Sequence, residues 1–191
     1  MAEAVTARGL LRRAAAIYEG PDSGLREGAA AAAGRLFASG GRWMQAALEQ
    51  LRAARLPGAR FNLNALGFLK YALAGLGALS CVALAWRLEE WWWGVFAVPV
   101  FYAIEVQMVF LFPIALEGEA RPFRTALGWT RRAGGTLAAM RVVLPLAAVM
   151  LLGGVCGRGF VRCWCFGCLA VCLWYEDLRL QALRQELHAR I

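Results

Sequence analysis

Two apolar stretches on either side of a short polar link decide how this chain is read. They are LNALGFLKYALAGLGALSCVALAW at residues 63–86 and WWWGVFAVPVFYAIEVQMVFLFPIAL at 91–116, with RLEE at 87–90 between them. A bilayer's hydrocarbon core is about 30 Å thick, and a helix rising about 1.5 Å per residue crosses it in about 20 apolar residues. Both stretches meet that requirement. Only Lys70 interrupts the first, and only Glu105 and Gln107 the second. So short a link makes the two helices antiparallel neighbours. Working outward, residues 136–156 form a third stretch with Arg141 near its start. Residues 160–175 form a shorter fourth with Arg162 near its start, behind the tight link Gly157-Arg158-Gly159. The pattern predicts an all-α fold: an integral membrane four-helix bundle of two helical hairpins, with amphipathic cytoplasmic helices around it. Its divisions are an arm at 1–60, a membrane domain at 61–176 and a helical tail at 177–191.

Composition agrees with that assignment. Of 191 residues, 60% are hydrophobic and 18% charged, with a mean hydropathy of +0.51. Soluble domains average about 45–50% apolar and about 25% charged. These figures exclude a disordered or collagen-like chain. Lysine and arginine number 21 against 13 acidic residues, for a formal charge of +8, and Lys70 is the only lysine. Such arginine, alanine and glycine usage fits a GC-rich, bacterial coding sequence. A basic chain suits nucleic acid or anionic lipid, and in one this apolar the lipid explains the charge, so no nucleic-acid partner is expected. No secretory signal peptide opens the sequence.

An even number of spans puts both termini on one side, and arginines near span ends choose the side. With the termini cytoplasmic, the inside holds Arg52, Arg55, Arg60, Arg121, Arg124, Arg131, Arg132, Arg179, Arg184 and Arg190, and the outside Arg87, Arg158 and Arg162. That asymmetry predicts a multi-pass inner-membrane protein with both termini inside and Trp91-Trp92-Trp93 at the outer interface. Lys70 and Arg141 lie near the inner ends of their spans, where long cationic side chains snorkel to headgroups.

Before the first span, Pro21-Asp22-Ser23-Gly24 reads as a turn, Gly40-Gly41 as a break and Pro57-Gly58 as a stop. Between the last two, residues 41–56 form an amphipathic helix with Trp43, Met44, Ala47, Leu48 and Leu51 on one face. Arg42, Gln45, Glu49 and Arg52 occupy the other. Such a helix either lies on an anionic leaflet or packs within a cytosolic cap. A second one runs from Arg121 to Arg132, with Pro122 suited to its first position. Arg42, Trp43, Arg52, Arg121, Arg124, Arg131 and Arg132 are the candidate lipid or partner contacts. The tail carries Leu180, Leu183, Leu187 and Ile191 on one face, which the arm is expected to meet.

The segment Glu117-Gly118-Glu119-Ala120-Arg121-Pro122-Phe123-Arg124-Thr125-Ala126-Leu127, followed by Trp129-Thr130-Arg131-Arg132, resembles a loop of certain bacterial polytopic membrane proteins. These are the YciC-like proteins and those grouped with the membrane domain of glycerophosphodiester phosphodiesterases. Both precede a span with an acidic-Gly start and a basic helix. The resemblance implies a polytopic membrane context and transfers no catalytic residue.

Glu105 is the sharpest chemical feature, because a carboxylate inside a span is costly and marks a functional hypothesis. It lies about 15 Å from the inner end of its span, Lys70 about 10 Å and Arg141 about 7 Å, at about 1.5 Å per residue. Either Glu105 forms a proton or cation site with Gln107 or Tyr102 nearby, or it pairs with Lys70 or Arg141 and sets helix register. Cys165, Cys168 and Cys172 share a helix face and read as small packing residues. Cys156 and Cys163 flank the outer link and are spaced for a disulfide if that side is oxidising. With His188 the only histidine and Asp22 and Asp177 the only aspartates, no metal site and no cofactor are expected. Ser23, Ser39 and Ser80 lie in unrelated segments, leaving no hydrolase triad. Phosphate-loop and zinc-protease motifs do not occur. The expectation is a non-enzymatic accessory, scaffold or assembly subunit contacting an anionic inner leaflet and another membrane protein or a second copy. The alternative is a small transporter or channel component using Glu105.

Overall fold

The computed structural model describes residues 5–20, 24–32 and 36–189, and these are helical nearly throughout, with no strand among them. In chain order the helices are α1 (Ala7–Glu19), α2 (Leu25–Ala32), α3 (Leu36–Arg52), α4 (Leu63–Arg87), α5 (Ala97–Val106), α6 (Leu111–Leu116), α7 (Pro122–Arg132), α8 (Gly135–Gly153) and α9 (Phe160–His188). A 3-10 segment, Trp91–Phe96, leads into α5. Local chemistry sets several starts. Thr6 Oγ1 accepts the Gly9 N–H at 3.2 Å ahead of α1. Asn62 Oδ1 accepts the N–H groups of Asn64 and Ala65 ahead of α4. Each satisfies amides that a helix start leaves without partners. Pro122 opens α7, where its missing N–H costs nothing.

Three segments are long and apolar enough to cross a membrane: Leu63–Arg87, Trp91–Leu116 and Gly135–Gly157. The first and third coincide with apolar stretches of the sequence. The second is not one helix. Pro99 and Pro113 each remove an amide from the i to i−4 ladder, and the chain runs as 3-10 helix, α5, a tight turn at 107–110 and α6. The expected fourth span is corrected as well. Residues 160–175 are the first half of the 29-residue α9, and their 16 residues would reach only ~24 Å at 1.5 Å each. With Arg162 at one end and Glu176 and Asp177 at the other, α9 is not apolar enough over a spanning length. Among the described residues, three segments and not four are long and apolar enough to be spans.

The core centres on α6. Phe110, Leu111, Ile114, Ala115 and Leu116 are fully buried, with α6 packed on α3 and α7. Trp174 of α9 meets Phe110 edge-on at 4.8 Å between ring centres. The same core continues into the arm through Leu10, Ala14, Tyr18, Trp43, Ala47 and Leu48, so the arm and the region after the second stretch pack as one body. The hairpin of α4 and α5 packs on this body through α3 and α8 and leaves Leu76, Leu79, Val82, Trp86, Trp91 and Val98 exposed. Gly77 lets its helices close: a Cβ there would lie 2.2 Å from Ile104 Cδ1.

The apolar stripe of the tail does not meet the arm. Leu180, Leu183 and Leu187 are exposed, whereas α1 lies antiparallel to the first half of α9, with Arg13 on Asp177 and Tyr18 on Phe166. The arm's apolar faces are spent on residues 163–178, where α9 is most apolar. Ile191 lies outside the described residues.

Candidate functional site

Lys70 and Glu105 occupy facing positions on α4 and α5, the only titratable groups of those two helices short of Arg87 apart from tyrosines and Cys81. Nζ of Lys70 lies 2.5 Å from Oε1 of Glu105, with the two side chains 6% and 11% exposed. The Lys70 ammonium also sits 5.3 Å from the centre of the Tyr71 ring, itself stacked on Phe101 and Phe37. Cys168 of α9 is an electrostatic neighbour of Lys70. The second carboxylate oxygen, Oε2, is buried without a hydrogen-bond partner. A buried ion pair is stable only if its remaining lone pairs are satisfied, so this oxygen is where the site departs from a closed structural pair. Arg141, the other expected member, is exposed on α8 and makes no ion pair among the described residues. It lies on the outward stripe of α8, while the buried stripe, Ala139, Val142, Val143 and Leu146, faces the body.

Directly after Glu105 the helix breaks. The amides of Gln107, Met108 and Val109 reach carbonyls three residues back, at 3.0–3.2 Å, so the last turn tightens to 3-10 geometry before α6 restarts. Thr130 of α7 enters this break, fully buried, with Oγ1 3.3 Å from the carbonyl of Val106 and 3.2 Å from that of Gln107. One hydroxyl proton serves one of them at a time. Gln107 Nε2 donates to Thr136 Oγ1 at 2.5 Å, fixing the start of α8 to the same point. Gln107 is thus a strut of the break, beside the Glu105 pair and not bonded to it.

A second, partly buried group of charges has no counterpart in the sequence reading. Arg52, at the end of α3, donates from Nε to Glu176 Oε1 at 2.8 Å and from Nη2 to both Glu117 and Glu176. Tyr175 donates its hydroxyl to Glu117 Oε2 at 2.8 Å. Arg179 Nη1 approaches Glu176 Oε2 at 3.4 Å. Two carboxylates and two guanidiniums balance, and they tie α3, the end of α6 and α9 together. Burial opposes the charge on Arg52, but the hydrogen bonds to Glu176 and Glu117 outweigh it and hold its pKa above the ordinary arginine value. Arg52, a candidate lipid or partner contact by its sequence, is engaged instead by acids of its own chain. Helical spacing placed it opposite Trp43 and Leu48, but only the tertiary arrangement brought acids from 65 and 124 residues away.

Trp43 is corrected too. It is 5% exposed, and its Nε1–H donates to the carbonyl of Leu25 at 2.9 Å. The ring is closed in by α2, where Gly28 leaves room for it. Arg42, Arg121, Arg124, Arg131 and Arg132 remain exposed and make no ion pair among the described residues. Arg132 lies over the Trp129 ring at 4.9 Å. Around Gly118, whose positive φ of 75° turns the chain between α6 and α7, the loop 53–62 packs through Pro57 and Arg60. That contact brings Arg60 to the turn ahead of α7.

Cys156 and Cys163, the possible disulfide of an oxidising side, are free thiols in this structure. Cys163 is buried against Gly153 of α8, and Cys156 is exposed in the turn after α8. Cys165 and Cys172 are buried in the core. Among the described residues no three metal-binding side chains gather. No family model, no curated protein and no solved structure matches the chain.

Proposed function

We propose that this chain is a multi-pass inner-membrane protein with both termini cytoplasmic, acting as a non-enzymatic accessory, scaffold or assembly subunit that engages an anionic leaflet and a further membrane protein or a second copy. The observation that carries this reading is the distribution of unpaired arginine. Arg55, Arg60, Arg121, Arg124, Arg131 and Arg132 are exposed, make no ion pair among the described residues and sit on the two packed loops and α7, next to the ends of the apolar segments. The opposite end of the α4–α5 hairpin carries Glu89 and Glu90 beside Arg87, with Trp91 and Trp92 exposed. Arginine near span ends faces the cytoplasm, and tryptophan favours the interface. Each cation near an anionic surface contributes about 1 kcal/mol. The likeness of residues 117–132 to the loop of YciC-like proteins fits the same context.

Native mass spectrometry of the protein released from mild detergent tests the proposal. Phosphatidylglycerol or cardiolipin is expected to remain bound and to be lost from the Arg121→Gln, Arg124→Gln, Arg131→Gln, Arg132→Gln variant. Equal retention by both proteins would remove the lipid role of α7. Partners recovered in the same detergent identify what the scaffold serves.

The partnerless Oε2 of Glu105 favours a second reading, a small transporter or channel component with Glu105 in a proton- or ion-coupled path. Glu105→Gln separates the two. Loss of coupled flux in proteoliposomes with unchanged thermal stability selects transport, and loss of stability selects the structural pair.

A further inference from the structure

The placement of α1 bears on how much of this protein crosses the bilayer. Arg13 Nη1 lies 2.6 Å from Asp177 Oδ2, Tyr18 packs edge-on to Phe166 at 5.0 Å, and Glu19 pairs with Arg162. The helix thus runs antiparallel along residues 162–177 of α9, touching α8 as well. Its inner face, Leu10, Ala14 and Tyr18, is buried. Its outer face shows Arg8 and Arg12, which make no ion pair among the described residues, and Arg13, half exposed. The Glu19–Arg162 pair is also half exposed.

If α9 crossed the bilayer, α1 would cross with it. The Arg13–Asp177 and Glu19–Arg162 pairs lie ~22 Å apart along α9 at ~1.5 Å per residue, less than the ~30 Å hydrocarbon core. A half-exposed ion pair would then lie in hydrocarbon, where charged side chains survive only when turned inward or toward water. The far side of the same group is apolar: α8 exposes Leu137, Leu151, Leu152 and Val155, followed by Phe160. Arg141 sits on that outward face, near the start of the helix. One leucine-rich face and one arginine face is the pattern of a structure lying in the membrane interface. The hairpin of α4 and α5 is different. Between Lys70 and Arg87 it carries no charge, nor does it between Trp91 and Ile104. The whole of α4 is 25 residues, which extend ~37 Å.

We propose that only the α4–α5 hairpin crosses the bilayer. The α8–α9 hairpin, with α1 strapped to it, stays on the side of the termini, its α8 face sunk in the anionic leaflet with Arg141 at lipid phosphates and the arginines of α1 toward water. The inference rests on the membrane reading above. It preserves the sidedness of the termini, since two crossings are even as four are.

Cys156 is a native reporter, exposed in the turn between α8 and α9. Four crossings put it outside, and two put it inside. A membrane-impermeant maleimide is applied to right-side-out and inside-out vesicles carrying the full chain, with Cys156→Ser as the blank and Glu89→Cys in that background as the outer reference. Labelling of Cys156 in inside-out vesicles only, opposite to the reference, is the expected result. Labelling from the outer side overturns the proposal. In a cysteine-free chain, Gly157→Cys and Gly159→Cys are probed the same way, and silence at all three positions from both sides places the turn in hydrocarbon and overturns it too. Release of the protein from membranes by alkaline carbonate would instead defeat the membrane reading itself.

Discussion

Two groups of buried charge hold this protein together, and they are built on opposite principles. The Lys70–Glu105 pair joins α4 and α5, one cation to one anion, with an oxygen left unsatisfied. The group of Arg52, Glu117, Glu176, Arg179 and Tyr175 joins three helices, and each carboxylate has more than one donor. In low dielectric the penalty for an unpaired charge grows, so redundancy decides how much a single loss costs. The pair has no substitute partner, and the larger group has several.

The largest effect is therefore expected at the pair. Lys70→Ala strands a buried carboxylate and should cost about 3–5 kcal/mol, read as a lowered thermal midpoint in detergent. Lys70→Met with Glu105→Leu removes both charges and should recover most of that loss. A double variant as unstable as the single one would break the comparison, because the pair would then be doing more than neutralising itself. Arg52→Met comes next, at about 2–3 kcal/mol, since Arg179 and the Tyr175 hydroxyl still serve the acids. A loss as large as that of Lys70→Ala would show that the larger group has no redundancy.

Thr130→Val keeps the shape of the side chain and removes the hydroxyl that serves the break after Glu105. The expected loss is about 1 kcal/mol, because Val106 O keeps the amide of Val109 and one carbonyl bond is forfeited. Hydrogen exchange at Met108–Phe110 should quicken in the same variant. The smallest effect is at Glu49, whose pKa lies below its ordinary 4.5 because Gln45 and the Leu56 amide donate to it. A folded-state pKa below the unfolded one contributes stability that is present above 4.5 and lost as pH falls through the lower folded value. The midpoint should fall slightly on acidification below 4.5, and Glu49→Gln should flatten that slope.

The same contrast explains what could be read in advance. Lys70 and Glu105 stand out because each interrupts an apolar run, and a charge there demands a partner of its own depth. Glu105 had two cations in reach, and only the facing of α4 and α5 chose Lys70 over Arg141. Arg52, Glu117 and Glu176 lie in ordinary polar segments, so nothing in their neighbours announces burial. Trp43 gave the right face of α3 and the wrong occupant, since a stripe fits a protein core as well as a leaflet. Pro99 and Pro113 carried the signal for the broken second segment, which hydropathy averaging conceals.

Apolar runs, arginine placement and helix periodicity by themselves determined that this is an all-helical chain with segments of membrane-spanning length, because hydrogen-bonding and transfer energies depend on each residue's type and its near neighbours. The tertiary structure alone decided that α9 is half of a 29-residue helix bound to the arm, that Arg52 is inside, and that Glu105 keeps one oxygen free. Those outcomes depend on which surfaces meet across a hundred residues or more, and surface competition of that kind leaves no local mark.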